Sequence, residues 1–194
     1  MNAAVEKDDK TLEKELTRHW LRPGERLLFG CAPIHGYVLA QIAAETRHPH
    51  EPLRQMPTLK PAPCLWPLPA KSVLDHWTDD PTVGFFVQAQ HQDQHAVHFG
   101  DHLAHSKGEA RLVLSSQRIS IVYPTNLLHA PAPGAPRFTT FCELPVGQVR
   151  GLSAPFAGRS VPPVQVIGVD FVDGSTLHLR DPLAGLLVHR AQSR

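Results

Sequence analysis

The chain has 194 residues, a hydrophobic fraction of 42% and nearly balanced charge, with 19 lysine and arginine residues against 18 aspartate and glutamate residues. This length suits one domain with additions and allows a real hydrophobic core. The charge balance argues against a broad basic surface for nucleic acid or acidic lipid, although local patches remain open.

Two features of the sequence argue for a cytoplasmic protein. The longest apolar runs, such as GYVLAQIAA, are much shorter than a membrane-spanning helix. The first residues, MNAAVEKDDKTLEKEL, are charged throughout, unlike a secretory signal. The cysteines, Cys31, Cys64 and Cys142, are an odd, widely spaced set and predict reduced, buried thiols rather than a disulfide framework or a zinc knuckle.

The first segment is predicted to be a helical arm over residues 1–22. In DDKTLEKELTRHW the apolar residues Leu12, Leu16 and Trp20 recur every four positions, which predicts one buried stripe. Pro23 ends the helix because it supplies no amide hydrogen. We expect the remainder, residues 23–194, to form a single domain.

The next part of the chain is harder to read. Residues 25–33 predict a strand, whereas periodicity does not decide between strand and helix for residues 34–44. A proline-rich insertion at about 45–70 carries seven prolines between Arg47 and Pro69, which excludes long regular structure. We expect an extended connection, anchored by its large apolar side chains Leu65, Trp66 and Leu68. A proline-rich ligand for an aromatic groove is the less favoured alternative.

The second half has β character. After a helical turn in KSVLDHWTDD and a strand in VGFFVQAQ, we predict strands in ARLVL, RISIVY, FTTFCEL and VGQVRGLSA, with a loop in TNLLHAPAPGAPR. In RISIVY the residues Ile119, Ile121 and Tyr123 alternate with Ser120 and Val122, so one face is the inner one.

The clearest local pattern is the hairpin VQVIGVDFVDGSTLHLR. Asp173-Gly174 predicts a type I′ turn in which both residues have positive φ. A terminal helix follows, with Asp181 as cap and Pro182 in its first turn. Its residues Leu183, Leu186 and Leu187 are expected to pack on strands from residues 111–123 or 164–180.

Three segments carry a resemblance to a known family. GEARLVLSSQRISIVY resembles the hairpin of bacterial pleckstrin-homology-like and GRAM-like domains, with Ser115-Ser116-Gln117-Arg118 at the turn. LRPGERLLFG resembles their opening strand, and FTTFCELPVGQVRGLSA resembles a later strand. The high alanine, proline and histidine content resembles that of small proteins of high-GC actinobacteria. The resemblance implies an α+β fold: an antiparallel, barrel-like domain with a C-terminal helix that plugs an open corner.

Lipid binding is the activity that this resemblance suggests most readily. Headgroup-binding members of the family cluster basic residues at the opening hairpin. Here that region offers only Arg22 and Arg26, with Lys107, Arg111 and Arg118 around the later hairpin. We therefore do not expect specific lipid binding.

The stretch HQDQHAVHFGDHLAH is the strongest candidate for chemistry, with His91, His95, His98, His102 and His105. On one α-helix these residues fall within an arc of about 80°, which could present a metal site. However, Gly100 weakens a helix, Asp101 could cap a new one, and the glutamate of the metalloprotease motif is missing. We expect no bound metal, a helix broken at Gly100 or Asp101, Phe99 and Leu103 buried, and mostly exposed histidines with pKa values near about 6.5.

Motifs for catalysis are missing from the sequence. Ser72, Ser106, Ser115 and Ser116 lack the nucleophile-elbow glycines, and there is no phosphate-binding glycine loop. We expect no enzyme activity, catalytic residue, cofactor or nucleic-acid partner. The leading hypothesis is a non-catalytic cytoplasmic interaction or scaffold module with a protein partner, and self-association remains open. The alternative is a histidine-dependent metal-binding protein or hydrolase that uses residues 91–105.

Overall fold

Two separate β-sheets share one hydrophobic core in the computed structural model, which describes residues 3–60, 66–68 and 74–193. The four-stranded sheet has the order β1 (Leu27–Gly30), β5 (Arg111–Ser115), β6 (Arg118–Pro124), β7 (Phe138–Pro145). The six-stranded sheet has the order β3 (Glu45–Arg47), β2 (Tyr37–Ile42), β4 (Val83–Ala89), β12 (Thr176–Leu179), β11 (Ile167–Phe171), β8 (Val149–Ser153). A small ribbon pairs β9 (Phe156–Ala157) with β10 (Val164–Gln165).

Three helices complete the described fold: α1 (Ala3–His19), α2 (His95–His105) and α3 (Ala184–Ser193). Short 3-10 turns cover Leu74–Asp79, Thr125–Leu127 and Val146–Gln148. The α+β class expected from the sequence is confirmed, but closure into a barrel is not found. The described strands form two open sheets, and β2 runs parallel to β4. Buried side chains of α2 and α3 belong to the core that the sheets share.

Helix α1 covers the outer face of the four-stranded sheet. Its predicted stripe is confirmed, because Leu12, Leu16 and Trp20 are buried in a cluster with side chains from β1, β5, β6 and β7. The fit is close: Leu16 occupies the space that a Cβ would need at Gly30. The inner face of β6 is also as predicted, with Ile119, Ile121 and Tyr123 buried in the main core.

Helix α2 contradicts the expected break in the histidine stretch, because it runs without interruption from His95 to His105. Gly100 is a packing residue, since a Cβ there would lie 2.7 Å from Cγ2 of Val87 in β4. Asp101 is fully buried and does not cap a second helix. The inward direction of Phe99 and Leu103 is confirmed, with both side chains fully buried.

The six-stranded sheet includes residues from the segment that could be strand or helix and from the start of the proline-rich insertion. Residues 34–44 contain strand β2, and the start of the insertion supplies β3. The ring of Trp66 lies edge-on to Tyr37 with centroids 5.5 Å apart, as an anchor should, whereas Leu68 is 79% exposed and anchors nothing. Leu65 and Cys64 lie outside the described residues.

The β11–β12 hairpin exists, but its turn is not type I′. Gly174 has φ of +85°, whereas Asp173 is not among the residues with positive φ. Gly174 N donates to the carbonyl of Phe171 at 3.1 Å, and Phe171 N donates to Ser175 O at 2.9 Å. This is a three-residue loop, a type I turn followed by a left-handed glycine. The extra residue lets Asp173 Oδ2 accept a hydrogen bond from the N–H of His95 at 2.6 Å, so the turn caps α2.

Helix α3 begins as predicted, because Oδ1 of Asp181 accepts the N–H of Leu183 at 2.7 Å. Leu183 and Leu187 are buried, whereas Leu186 is only partly covered. The helix packs on β11, as expected, and also on β1. Arg190 joins it to α1 through ion pairs with Asp9 at 2.9 Å and Glu13 at 3.0 Å.

We predict that Gly174→Val destabilises the protein by about 1–3 kcal/mol, because a β-branched residue tolerates positive φ poorly. Nothing lies within 4 Å of a Cβ placed there, so backbone strain is the whole cost. Gly174→Asn is the control, since asparagine adopts this conformation more readily. Urea unfolding measures the difference; equal stability of the two variants would contradict the turn geometry.

Candidate functional site

All three segments that carried the family resemblance meet at Arg118. Its Nε donates to Glu25 at 2.8 Å, its Nη1 donates to Glu143 at 2.6 Å, and its Nη2 donates to the carbonyl of Trp20 at 3.2 Å. The guanidinium carbon lies 4.1 Å from the centroid of the Trp20 ring. The Arg118 side chain is 7% exposed and that of Glu25 is 0% exposed. We call these residues, Trp20, Glu25, Arg118 and Glu143, the Arg118 cluster.

The Arg118 cluster is fully ionised. Burial raises the pKa of Glu25 and Glu143, but hydrogen bonds from arginine outweigh burial and lower it overall. Burial likewise lowers the pKa of Arg118, and its two carboxylate partners raise it overall. Because one face of the guanidinium stacks on Trp20 and all three of its nitrogen atoms donate hydrogen bonds, this cluster organises structure and does not present a reactive group.

An open groove of about 580 Å³ lies beside the Arg118 cluster, along the outermost strand of the four-stranded sheet. We call it the β7 groove; it is lined by His19, Trp20, Arg22, Arg118, Pro136, Phe138, Thr140, Phe141 and Glu143. Its floor is held in place by the indole N–H of Trp20, which donates to Oγ1 of Thr140 at 2.9 Å. Within the described part of the chain β7 pairs only with β6, so aromatic rings, arginine and a free strand edge occur together here.

Strand β7 carries an irregularity at this groove. Cys142 pairs with Ile121 and Thr140 pairs with Val122, so Phe141 is an additional residue without a partner on β6. Such β-bulges are common at sheet edges and redirect a side chain. Phe141 is 45% exposed, although its ring lies edge-on to Tyr123 with centroids 5.4 Å apart. The bulge thus displays a large apolar side chain on an edge strand.

Four of the five histidines of residues 91–105 lie on α2, but they do not form a shared site. The Nε2 atom of His105 bonds to the carbonyl of Pro57 at 2.7 Å, that of His98 to Asp93 O at 3.1 Å and that of His95 to Gln148 at 3.3 Å, while His91 is exposed. Over residues 3–60, 66–68 and 74–193, no group of three or more His, Cys, Asp or Glu side chains could hold a metal ion.

The expectation of mostly exposed histidines is wrong, because only His91 is exposed, while His95, His98 and His105 are half-buried and His102 is buried. The expected ordinary pKa is wrong for His98 and His102. His102 is 9% exposed, and its Nδ1 lies 2.9 Å from the hydroxyl of Tyr123. Burial lowers the pKa of His102 to about 4. Burial is also the main cause of the lowered pKa of His98. His102 faces the core because α2 packs with that side toward β6.

A buried ion cluster connects the proline-rich insertion to α2, and no sequence pattern indicated it. Asp101 lies 2.7 Å from Nε2 of His50 and 3.0 Å from Nη1 of Arg54, and the side chains of Asp101 and His50 are both 0% exposed. Burial raises the pKa of Asp101, but the bonds to His50 and Arg54 lower it overall. Although a histidine and a carboxylate are paired, no substrate can reach them, so the arrangement is structural.

A smaller cavity of about 360 Å³ lies between α1 and α3 and includes Asp9 and Asp181 in its lining. Burial raises the pKa of Asp181. However, Asp9 is paired with Arg190 and Asp181 caps α3. Both carboxyl groups therefore have structural partners and do not form an acid–base pair.

Comparisons with protein-family models, with curated proteins and with solved structures give no match to this chain. In the part of the chain that the structure describes, no helix is both long enough and apolar enough to cross a membrane. Cys31 and Cys142 are unpaired; Cys31 is buried and Cys142 is half-buried.

We predict that Arg118→Met destabilises the protein by about 3–5 kcal/mol, because it leaves the buried carboxylate of Glu25 without a cation. Arg22→Met is the matched control: it also removes a partner of Glu143, but Arg22 is 58% exposed and should cost less than about 1 kcal/mol. Chemical unfolding of both variants provides the measurement. Equal losses would show that the Arg118 cluster is not a principal source of stability.

The lowered pKa of His102 should be visible in the pH dependence of the free energy of unfolding. Its folded-state pKa is about 4 against an ordinary 6.5, so the unfolded chain binds more protons between these values. Stability from this group is therefore lost as pH falls from about 6.5 to 4, by about 3 kcal/mol in total. His102→Gln should flatten the stability curve in this window, whereas His91→Gln, at an exposed position, should not. Parallel curves for wild type and His102→Gln would refute the assignment.

Proposed function

We propose that this chain is a non-catalytic protein-interaction module that receives an extended segment of a partner protein along the free edge of β7. The single observation that carries the proposal is the exposed Phe141, held at a bulge of an edge strand beside the aromatic β7 groove. Addition of a partner strand to a sheet edge is a common mode of peptide recognition, in which side-chain pockets provide specificity.

The chemistry of the β7 groove supports this function. Tryptophan, other aromatic residues and arginine are enriched at the energetic centres of interfaces. The charged groups of the groove are already paired, since Glu143 binds both Arg118 and Arg22. The groove therefore favours a neutral partner side chain, and we propose that an apolar or aromatic residue of the partner packs on Phe141.

Other observations support a binding role over catalysis. The ionisable groups whose pKa values are shifted most, Cys31, His102, Tyr123 and Cys142, are shifted mainly by burial, as core side chains are. The described histidine contacts give no specific support to a metal-dependent hydrolase. We also propose a cytoplasmic location, which the unpaired Cys31 and Cys142 support.

The relation to pleckstrin-homology-like domains remains part of the proposal. It is supported by the contact between Glu25 and Arg118, which joins the opening segment to the later hairpin. The two open sheets argue against a simple member of that group.

A photo-crosslinking residue, p-benzoylphenylalanine, at position 141 of the full chain should capture the partner in the cells that make this protein. The matched position is Val172, which is 55% exposed at the β11–β12 turn, far along the sequence from β7. We expect a specific product at position 141 and none at position 172.

The captured protein, purified, then allows calorimetric titration. Phe141→Ser should weaken binding at least about tenfold, as for the central anchor of an interface, whereas Val172→Ser should leave it unchanged. Equal crosslinking at both positions, or full affinity of Phe141→Ser, would rule out the β7 groove as the interface.

A further inference from the structure

Arg111 is a partly buried arginine that forms no ion pair with any of the described residues. It is the first residue of β5 and lies on the same face as Val113, toward α1. Its Nε is buried without a hydrogen bond. Among the described residues, no side chain or carbonyl forms a hydrogen bond or ion pair with its guanidinium group. The nearest specific contact is with the ring of Phe138, whose centroid is 5.6 Å from the guanidinium carbon.

Burying part of the Arg111 guanidinium without hydrogen-bond acceptors costs free energy. Removing N–H donors from water without providing acceptors is unfavourable. The face of an aromatic ring attracts the positive charge of the guanidinium, but it does not replace a hydrogen-bond acceptor for the N–H groups. Burial lowers the pKa of Arg111; Glu15 and Glu109 offset this in part, and Arg137 adds to it. Glu15 is not free to serve as a partner, because it pairs with Arg137 at 2.7 Å. Arg118, on the neighbouring strand, shows the opposite arrangement, with carboxylates on its nitrogen atoms.

An open cavity of about 560 Å³ lies directly beside Arg111. One wall is formed by Pro124 at the end of β6 and by Pro131 and Pro136 of the following loop, and Phe138 also lines the space. The charged side chains of the lining are Arg111, Arg137 and Glu15, so one positive charge is in excess. The volume is in the range of small-molecule sites, which combine apolar walls with a few fixed polar groups.

We propose that this cavity binds a small organic oxyanion, a carboxylate or a phosphate monoester, whose anionic group pairs with Arg111 and whose apolar part lies against Phe138 and the loop prolines. An arginine fork matches either group through two parallel hydrogen bonds. The proposal goes beyond the β7 groove and does not depend on a protein partner. The plainer alternative is an Arg111 that is simply hydrated in an open surface hollow.

Titration of the full chain with simple probes distinguishes anion binding at Arg111 from simple hydration of its side chain. Benzoate, phenyl phosphate and inorganic phosphate test the anion, and benzamide is the neutral counterpart of benzoate. We expect benzoate or phenyl phosphate to shift the Nε–H resonance of Arg111 and amide resonances of residues 124–138, and benzamide to bind at least tenfold more weakly. The tighter of the two aromatic anions identifies carboxylate or phosphate. Binding of inorganic phosphate as tightly as phenyl phosphate, or no shift with any anion, would overturn the proposal.

Arg111→Met provides the matched variant, because it keeps the apolar stem and removes the charge. We expect a loss of probe affinity of at least tenfold with an unchanged or raised Tm, since an unsatisfied charge is removed. Arg150→Met, at an exposed position on β8, should change neither quantity. Retained binding in Arg111→Met, or a Tm lowered by several degrees, would show that Arg111 is structural. If that variant does not fold, the Nε–H shift of the wild-type chain still decides the question.

Discussion

The guanidinium of Arg118 is the contact on which the arrangement of the four-stranded sheet depends. It joins the end of α1 at Trp20, the entry to β1 at Glu25 and the outer strand β7 at Glu143. Arg118 lies 98 residues after Trp20 and 93 residues after Glu25, so this side chain joins the first part of the chain to the later strands. A guanidinium holds its five donors in one rigid plane, whereas the three donors of a lysine rotate about a flexible stem. The stacking on Trp20 fixes the plane of the fork, so α1 and β7 are positioned by one side chain.

Parts of the fold governed by burial of one face could be predicted from the sequence. The stripe of α1, the inner face of β6, the cap of α3 and the presence of the β11–β12 hairpin follow from periodicity and local hydrogen bonding. Two local details could not. Gly100 resembles a helix breaker, but only the distance to Val87 on another element reveals why it is glycine. Asp173 resembles a turn residue, but its carboxylate is required by the N-terminus of α2.

The candidate sites were still less accessible to sequence reasoning. The β7 groove is assembled from the end of α1, the start of β6 and the whole of β7, and its exposed phenylalanine depends on a bulge that no residue pattern marks. The buried pair of His50 and Asp101 connects a proline-rich segment to a helix, and only the fold brings them together. The histidine pattern, in contrast, was conspicuous and led to no shared site, because each imidazole has its own neighbour.

The pairing of the first and last helices has a consequence for synthesis of the chain. The apolar stripe of α1 packs on side chains of β5, β6 and β7. Asp9 pairs with Arg190, which is synthesised 181 residues later. At about 5–20 residues per second, the stripe lacks its sheet for roughly ten seconds after it leaves the ribosome. Throughout that interval α1 is an amphipathic segment with an uncovered apolar side, the kind of surface that chaperones bind. Contacts of such long sequence separation also favour slow folding.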